Sequence, residues 1–498
     1  MSCQLTISSA FCYTTPHMFN FLKTKSVSDE PLYFYDSATR SKREFTSIKN
    51  DVATLYTCGP TVYDHVHIGN LSAYLLSDLV KRVLIYNDYE VKQTMNFTDF
   101  GHLSDDGDHG EDKMMKGMGR EGYAITLPNM LKFATTYIDA AKEDMADMNI
   151  LPPEQYTRAS DYVKEQIRLV ETLEQKGYAY KTSDGVYFDI SKFPAYGILG
   201  NIDLEALKAG ARVAVNPEKK HPADFALWKF GDLGWESKWG SGFPGWHIEC
   251  TAMAFATLGK QIDIHTGGED LQYTHHNAEI AQAECATGKP FVNYWLHKSH
   301  ISINNEKLAK SAGNSIKLSD LTEQGYTALE YRYWLLQSHY RTGTNFTYEA
   351  LDAAKTALTR LKKQLFEEYG GTATTVSGTY RTQFVKLVND DLDTPKALAL
   401  LWEMLKDDSL EPGEKVATAQ DFDRVFGFGL SDDLSDILED LGEIMLVDAP
   451  EDIQALVNDR QAARAVQNWD EADRLREALL VKGYQIEDGP DGPKLTKN

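Results

Sequence analysis

Four side chains that commonly bind metal ions lie in two separate parts of the chain. They are Cys58, Cys250, His275 and Glu279. His275 and Glu279 are four positions apart, so on a helix both would project from the same face. Two thiolates, one imidazole and one carboxylate form a donor set that suits Zn²⁺, and the sequence therefore predicts a zinc site.

Each of these residues also has an ordinary alternative. Free cysteines are often small buried hydrophobic residues with no other role. His276 adjoins His275 and is an alternative ligand, although the helical spacing to Glu279 favours His275. The zinc prediction therefore depends on the set of four residues rather than on any one of them.

The segment 67–70 reads His-Ile-Gly-Asn and lies where a predicted strand has ended and a helix begins. Free backbone N–H groups and the helix dipole favour an anion at such a position. His67 adds a directional donor to a phosphate, and Gly69 lets a flat base approach the backbone. The alternative is a helix cap with a satisfied histidine.

Lys307 and Lys310 lie in the segment 307–311, which reads Lys-Leu-Ala-Lys-Ser. A mobile loop with two ammonium groups can close on a triphosphate and neutralise the charge that develops on the α-phosphate and the departing pyrophosphate. The alternative is a solvated basic turn. An ATP site beside a zinc ion that selects thiols suggests an enzyme that activates cysteine.

Two further residues have side chains that suit a small-molecule pocket. Trp246, four positions before Cys250, can form one wall of a pocket, although a tryptophan is more often a core residue. Asp270 follows Gly267-Gly268 and can accept hydrogen bonds from a ribose or an ammonium group. A helix N-cap is its alternative role.

The segments that carry these residues alternate between strands and helices. Residues 53–57 are predicted to form a buried strand, residues 69–86 a helix and residues 91–97 a second strand. Residues 262–265 predict a further strand, with a helix beginning near His275. This order predicts an α/β fold with a parallel sheet and a ligand site at the carboxyl ends of its strands.

The sheet pattern is interrupted between about residues 150 and 232. A helix is predicted at 162–176, a hairpin at 178–190 and a charged linker at 217–222. A nucleotide-binding sheet split by an insertion is a specific architecture. Upstream of it, the acidic segment 100–120 is predicted to be a loop.

The last third of the chain is predicted to be mostly helical. An all-α region begins at residue 348, and a pair of helices after residue 452 is broken near Asn468. A short strand at 484–486 and a turn at 488–492 follow.

Composition limits the class of protein. The chain has 498 residues, which predicts several domains, and 51 basic against 74 acidic residues give a net charge of −23. This charge argues against indiscriminate nucleic-acid binding but allows one basic face. Five scattered cysteines favour a reducing, cytoplasmic location, and no apolar run is long enough for a bilayer. Residues 1–30 are expected to be a disordered extension, or translation to start at Met18.

Taken together, these segments closely resemble the cysteinyl-tRNA synthetases, a family of class I aminoacyl-tRNA synthetases, over about residues 31–494. The most specific pieces are residues 57–64, 244–250 and 267–271, and residues 469–473 also resemble the family. The resemblance implies ATP-dependent activation of L-cysteine through cysteinyl-adenylate, followed by transfer to tRNA(Cys). It implies ATP bound with Mg²⁺, one Zn²⁺ per chain and a monomer.

The resemblance also implies a domain order. An α/β class I synthetase sheet of the Rossmann type is split by a connective insertion and followed by a stem-contact fold, an α-helical bundle and a small C-terminal anticodon-binding domain. The expected boundaries are 1–30 for the extension, 31–149 and 232–300 for the two halves of the sheet, 150–231 for the insertion, 301–346 for the stem-contact fold, 347–450 for the bundle and 451–498 for the last domain.

Individual residues receive roles from the same resemblance. The implied zinc ligands are Cys58, Cys250, His275 and Glu279, and the implied catalytic residues are His67, Asn70, Lys307 and Lys310. ATP binding is implied for His67, Gly69, Asn70, Asp270 and Lys310, and cysteine binding for Thr98 and Trp246. Arg464, Trp469 and Asp473 fall where the family reads the anticodon.

The sequence departs from the family pattern at a few positions, and two alternatives stay open. Asn70 replaces the second histidine of the usual His-Ile-Gly-His, and Leu308 and Ala309 replace Met and Ser in the lysine segment. A ligase that joins cysteine to a small amine would lack the anticodon module. A predicted helix pair with basic residues and a tryptophan favours RNA instead, through Arg460, Arg464, Arg474, Arg476 and Trp469. The alternative is a solvated helical hairpin with a buried tryptophan. A non-catalytic RNA-binding relative is suggested by Asn70 alone, and the retained lysines and zinc ligands argue against it.

Overall fold

The computed structural model describes residues 30–101, 113–202, 216–303, 306–307, 315–430, 443–444, 446, 449–489 and 492–497. Lys310, most of the acidic segment and the N-terminal 29 residues lie outside the described residues. Within the described ranges, no helix is long and apolar enough to cross a membrane.

The first part of the chain alternates strands and helices, as the sequence predicts. Its elements are β1 (Tyr33–Asp36), β2 (Ser41–Glu44), β3 (Val52–Thr57), α1 (Ile68–Tyr86), β4 (Glu90–Phe97), α2 (Lys113–Arg120), α3 (Leu127–Asp147) and β5 (Gln155–Arg158). The loop prediction for residues 100–120 is wrong at α2, because Met114 and Met118 lie one turn apart and are both fully buried.

The next part contains the predicted interruption and the return to the central sheet. Its elements are α4 (Val163–Gln175), β6 (Ala179–Lys181), β7 (Gly185–Phe188), β8 (Phe225–Trp235), β9 (Gly242–Pro244), α5 (Trp246–Thr257), β10 (Ile262–Gly268), α6 (His275–Thr287) and β11 (Val292–Lys298). Strands β6 to β9 form a separate antiparallel sheet, and α4 packs on it. The predicted hairpin is confirmed as β6–β7.

The central sheet has five parallel strands in the order β11-β10-β3-β4-β5. This arrangement confirms the parallel α/β sheet, with the ends of β3, β10 and β11 at one edge. Strand β5 belongs to the sheet although the sequence places residues 150–231 in the insertion, because four mostly polar residues at a sheet edge give little strand signal. Strand β8 likewise crosses the expected boundary at 231. The domain boundaries themselves stay a prediction.

The third part begins with a small sheet and becomes helical. Its elements are β12 (Ile301–Ile303), β13 (Glu306–Lys307), α7 (Leu318–Thr322), α8 (Ala328–Leu336), β14 (Thr344–Phe346), α9 (Tyr348–Lys363), α10 (Gly378–Val388), α11 (Thr394–Leu405) and α12 (Pro412–Phe426). Strand β12 pairs with β13 and β14. The all-α region predicted from residue 348 is confirmed.

The C-terminal part has its own small core. Its elements are β15 (Glu443–Ile444), α13 (Glu451–Ala465), α14 (Trp469–Val481), β16 (Tyr484–Gly489) and β17 (Gly492–Lys497). The three strands form one antiparallel sheet, and Asn468 caps α14 at the predicted break between the helices. Because β15 pairs with β17, this sheet includes residues that precede 451, the expected start of the last domain.

Helix α1 joins the central sheet to the helical region through buried charges. Asp78 on α1 accepts hydrogen bonds from Arg82 at 2.9 Å and from Arg332 of α8 at 2.6 Å. Arg332 also donates to the carbonyl oxygens of Met148 and Phe426, so one side chain contacts three parts of the chain. This network holds α1, and with it the His-Ile-Gly-Asn segment, against the rest of the protein.

Candidate metal centre and active site

The four predicted metal ligands meet beside the carboxyl edge of the central sheet. Cys58 directly follows β3, Cys250 lies in α5, and His275 and Glu279 lie one turn apart in α6. The Sγ atoms of the two cysteines are 3.9 Å apart. His275 Nε2 lies 3.3 Å from Cys250 Sγ and 3.2 Å from Glu279 Oε1. All four ligand atoms lie within 4.8 Å of one another, a group that can hold a metal ion.

A second group shares two of these residues. Cys58 and Glu279 also lie within ligand distance of His265 and His276. His265 Nε2 is 3.2 Å from Glu279 Oε2, and His276 Nε2 is 3.5 Å from Cys58 Sγ. The Nδ1 atom of His276 lies 2.8 Å from Nε2 of His297. Both adjacent histidines of the sequence therefore reach the cluster, but only the first group contains two thiols.

Burial dominates the electrostatics of the cluster. It raises the pKa of the Cys58 thiol well above its usual value, and nearby Cys250 and Glu279 add to the shift. Burial also raises the pKa of Cys250 and of Glu279 and lowers the pKa of His276 well below its usual value. Ionised thiols and a carboxylate packed this closely would repel one another in a medium of low polarity, so the ionised forms of all three would require a cation among them.

The chain turns closely after Cys58. The backbone N–H of Cys58 donates to the carbonyl of Thr266 in β10 at 3.2 Å, which holds the thiol against the neighbouring strand. A Cβ atom on Gly59 would lie 1.7 Å from the carbonyl oxygen of Asn96 in β4. Only glycine fits between these strand ends, so Gly59 is needed for the position of the thiol.

Thr98 and Trp246, predicted from the resemblance to line an amino-acid pocket, lie close to the cluster in the structure. Trp246 is the first residue of α5, and its ring centroid is 4.7 Å from that of His275. Thr98 follows β4, and its hydroxyl donates to Glu249 Oε2 at 2.8 Å. Burial raises the pKa of Glu249 well above its usual value. The sequence prediction missed Glu249, for which a carboxyl in an otherwise apolar helical turn before Cys250 was the only signal.

The His-Ile-Gly-Asn segment forms the N-terminus of α1. The backbone N–H of Asn70 donates to His67 Nδ1 at 3.1 Å, and the N–H of His67 donates to Asn70 Oδ1 at 3.2 Å. This reciprocal cap is the ordinary role weighed for the segment. It also means that a neutral His67 ring carries its proton on Nε2. Gly69 lies in the first turn of the helix.

The lysine segment begins in the small sheet formed by β12, β13 and β14. The backbone of Lys307 belongs to β13, whereas Lys310 lies outside the described residues. The chain after the segment returns to α1, because the N–H of Ile68 donates to the carbonyl of Ile316 at 2.9 Å. Asp270 is exposed in a short 3-10 helix, Glu269–Tyr273, that follows β10.

The predicted anticodon residues lie together on the C-terminal helix pair. Trp469 is 55% exposed, so the alternative of a buried tryptophan is wrong. The guanidinium carbon of Arg464 lies 5.6 Å from the centroid of the Trp469 ring, and Asp473 is exposed one turn along α14. Arg460, counted among the basic residues of this pair, is buried and makes two hydrogen bonds of 2.8 Å with Asp488.

Comparison with solved structures defines the fold. The structure superposes on Mycobacterium tuberculosis methionyl-tRNA synthetase in complex with methionyl-adenylate with a TM-score of 0.56, covering 78% of this chain and 94% of that chain at 13% identity. Residues 44–356 match the family described as the tRNA synthetases class I (C) catalytic domain. The fold and the matched domain are those of a class I aminoacyl-tRNA synthetase.

Comparison with curated sequences defines the family within this class. Cysteine–tRNA ligase 1 of Burkholderia lata is 43% identical over 472 residues, which cover 93% of this chain and 97% of that protein. The cysteine–tRNA ligase of Treponema denticola is 37% identical over 487 residues, which cover 92% and 98%. Residues 446–493 match the cysteinyl-tRNA ligase anticodon binding domain. The chain belongs to the cysteinyl-tRNA synthetase family.

Proposed function

We propose that the chain is a cysteine–tRNA ligase, which activates L-cysteine with ATP through cysteinyl-adenylate and transfers the cysteinyl group to tRNA(Cys). The observation that carries this proposal is the buried group of two thiols, one imidazole and one carboxylate beside the ligand edge of a class I sheet. The curated relatives named cysteine–tRNA ligases match over more than nine-tenths of the chain, which supports the same activity.

The donor group fits a zinc ion. A tetrahedral ion with zinc–sulfur bonds of about 2.3 Å holds two sulfur atoms about 3.8 Å apart, close to the 3.9 Å between Cys58 and Cys250. Bonds to nitrogen and oxygen are shorter, in keeping with the 3.2 Å between His275 Nε2 and Glu279 Oε1. These four residues would hold one Zn²⁺ per chain. When bound, the ion lowers the pKa of the substrate thiol, so that cysteine is held as a thiolate that serine cannot match.

Residues beside the cluster would bind the rest of the amino acid. The proton of the Thr98 hydroxyl is directed at Glu249, so the Thr98 oxygen presents lone pairs that can accept from the substrate ammonium group. Trp246 would form the apolar wall beside His275. One polar contact and an aromatic wall suit a small amino acid.

The N-terminus of α1 and the lysine segment would bind Mg-ATP. His67 would donate from Nε2 to a phosphate, Gly69 would leave space for the base, and Asn70 would keep His67 oriented through the cap. Lys307 and Lys310 would neutralise charge when the carboxylate of cysteine attacks the α-phosphate and pyrophosphate departs. Asp270 would accept a hydrogen bond from the ribose. The terminal ribose hydroxyl of the tRNA then displaces AMP from the adenylate.

The C-terminal helix pair would read the anticodon. The exposed face of Trp469 suits stacking of an unpaired base, and Arg464 lies behind the ring as a cation. Asp473 is exposed on the same helix and would accept hydrogen bonds from a base edge. This module distinguishes the proposed ligase from a cysteine ligase for small amines.

The remaining architecture would serve the same reaction. The antiparallel sheet and α4 between β5 and α5 would form the connective insertion, and β12 to β14 with α7 and α8 would form the stem-contact fold. An ion pair between Lys494 and Glu367 connects the C-terminal strands to the helical region. The protein would act as a monomer, which light scattering can test.

Two assays test the proposed function in sequence. Cysteine-dependent exchange between ATP and pyrophosphate tests activation, with serine and alanine as control substrates. Attachment of cysteine to tRNA(Cys) then tests transfer, with a tRNA of another identity as control. Exchange without charging of tRNA(Cys) would favour a ligase for small amines, and no exchange by a metal-loaded, folded protein would contradict the proposal.

A further inference from the structure

A buried lysine lies at the ligand edge of the central sheet. Lys298 is the last residue of β11, is 7% exposed, and pairs in register with Gly268 at the end of β10. A buried ammonium group is costly unless it is neutralised or bound to a ligand. None of the roles assigned above uses this lysine.

Lys298 lies on the face of the sheet that carries α1. Side chains alternate between the two faces of a strand. Leu296 packs in the core that includes α1, whereas the rings of Trp295 and His297 contact the histidines of the metal cluster on the opposite face. Lys298 therefore shares the face of Leu296, at the edge where α1 begins with His67.

The ammonium group has few partners among the described residues. Lys298 Nζ donates to the carbonyl of Ser299 at 2.9 Å, and no described carboxylate lies within 4.0 Å of it. The carboxylate of Glu269 favours the charged form of Lys298 from a distance. This carboxylate accepts a hydrogen bond from the backbone N–H of His300 at 3.3 Å and does not contact the ammonium group. Burial lowers the pKa of Lys298 to about 8, so at neutral pH the side chain is mostly a cation without a contacting counter-charge.

The surroundings of Lys298 favour an anionic ligand. Strand β12 begins three residues later and leads to Lys307 in β13, and the chain returns to α1 where Ile68 bonds to Ile316. The same edge therefore contains a helix N-terminus and the base of the lysine segment. Asn70 adds no positive charge there, because its side chain is neutral and serves as a cap.

We propose that Lys298 is a further ATP-binding residue, which donates a charge-assisted hydrogen bond to a phosphate oxygen of the nucleotide. This inference rests on the proposed function for the identity of the nucleotide. A hydrogen bond from a charged group contributes about 10- to 100-fold in affinity. The contact is to the phosphates, so adenosine should not share it.

The test compares Lys298→Met with Lys260→Met. Lys260 is exposed and lies just before β10, at the opposite end of the same sheet, so its loss removes an equal charge away from the ligand edge. Equilibrium dialysis of the full chain with labelled ATP and with labelled adenosine measures both affinities without any need for catalysis. Thermal unfolding and bound-metal content check that each variant is folded.

We expect Lys298→Met to weaken ATP binding about 10- to 100-fold and to leave adenosine binding within about twofold. Lys260→Met should not weaken ATP binding to this extent. ATP affinity within twofold of wild type would overturn the inference, and so would equal losses for ATP and adenosine. If Lys298→Met does not fold, Lys298→Gln removes the charge and keeps a polar end, with the same criteria. Failure of the proposed function would instead appear as the absence of cysteine-dependent exchange in the wild type.

Discussion

The Sγ atoms of Cys58 and Cys250 lie 3.9 Å apart, although the two residues are 192 positions apart in the chain. Cys58 is positioned by the parallel pairing of β3 with β10, and Cys250 by the first turns of α5. Burial raises the pKa of both thiols. A bound cation is the simplest way to keep both as thiolates, and the arrangement allows direct tests.

Cys250→Ser should remove the metal and with it the activation of cysteine. A serine hydroxyl does not ionise near neutral pH and is a poor replacement for a thiolate ligand. We therefore expect the metal affinity and the rate of cysteine-dependent exchange to fall at least about 100-fold, which is more than the loss of a residue that only supports a ligand would cause. ATP binding should survive. Cys285→Ser is the matched control, because Cys285 is buried but lies outside the cluster. Unchanged exchange by a metal-depleted Cys250→Ser protein would contradict the proposed role.

Two adjacent histidines allow the metal position itself to be tested. His275 belongs to the group with two thiols and His276 to the group with one. Zinc favours thiolate ligands, so we expect the ion in the first group. His275→Gln should then weaken zinc binding at least about 100-fold, because a direct ligand is lost. His276→Gln should weaken zinc binding only about tenfold, because His276 would lie next to the ligands without binding the ion. Competition with a chromophoric chelator measures both values. The reverse order would locate the ion in the second group.

Trp469→Ala should weaken tRNA binding and leave amino-acid activation unchanged. Stacking of one base on an aromatic ring contributes about 1–3 kcal/mol, so the KM for tRNA(Cys) should rise roughly 10- to 100-fold. Val466→Ala is the control, because Val466 is also exposed beside the same turn but offers no ring. An equal effect of both substitutions, or reduced pyrophosphate exchange in Trp469→Ala, would argue against a stacking role.

Asp78→Asn should destabilise the fold. Asp78 is fully buried between Arg82 and Arg332, so its loss leaves two buried guanidinium groups without their carboxylate. We expect the free energy of unfolding in urea to fall by about 3–5 kcal/mol. Asp452→Asn is the control, because its ion pair with Lys482 is exposed to solvent and should contribute little to stability.

Wild type and Asp78→Asn should also differ in how their stability depends on pH. Burial alone would raise the pKa of Asp78, but the Arg82 and Arg332 guanidinium groups outweigh it and lower the pKa below its ordinary value. A depressed pKa stabilises the fold above the pKa of the unfolded chain, about 3.9, and this contribution is lost as the pH falls through the folded value. The stability difference between wild type and Asp78→Asn should therefore be constant near neutrality and shrink below about pH 4.

Local patterns in the sequence predicted some elements well and others poorly. The strand, helix and strand around His67 were predicted because each has its own periodicity. Strand β5 was missed because its partner β4 lies far back in the chain and its own residues are mostly polar. Arg460 was predicted to be one of the RNA-binding arginines of the helix pair, because its ion pair with Asp488 on β16 is not visible in sequence spacing.

The sequence by itself determined the donor types, the spacing of His275 and Glu279, and the motifs shared with the cysteinyl-tRNA synthetases, since these depend on residue identity and local order. Only the tertiary structure decided that Glu249 faces Thr98 and that Lys298 is buried without a contacting carboxylate among the described residues. Burial and pairing arise when distant segments pack together, and packing, rather than residue type, sets the protonation and partners of a side chain.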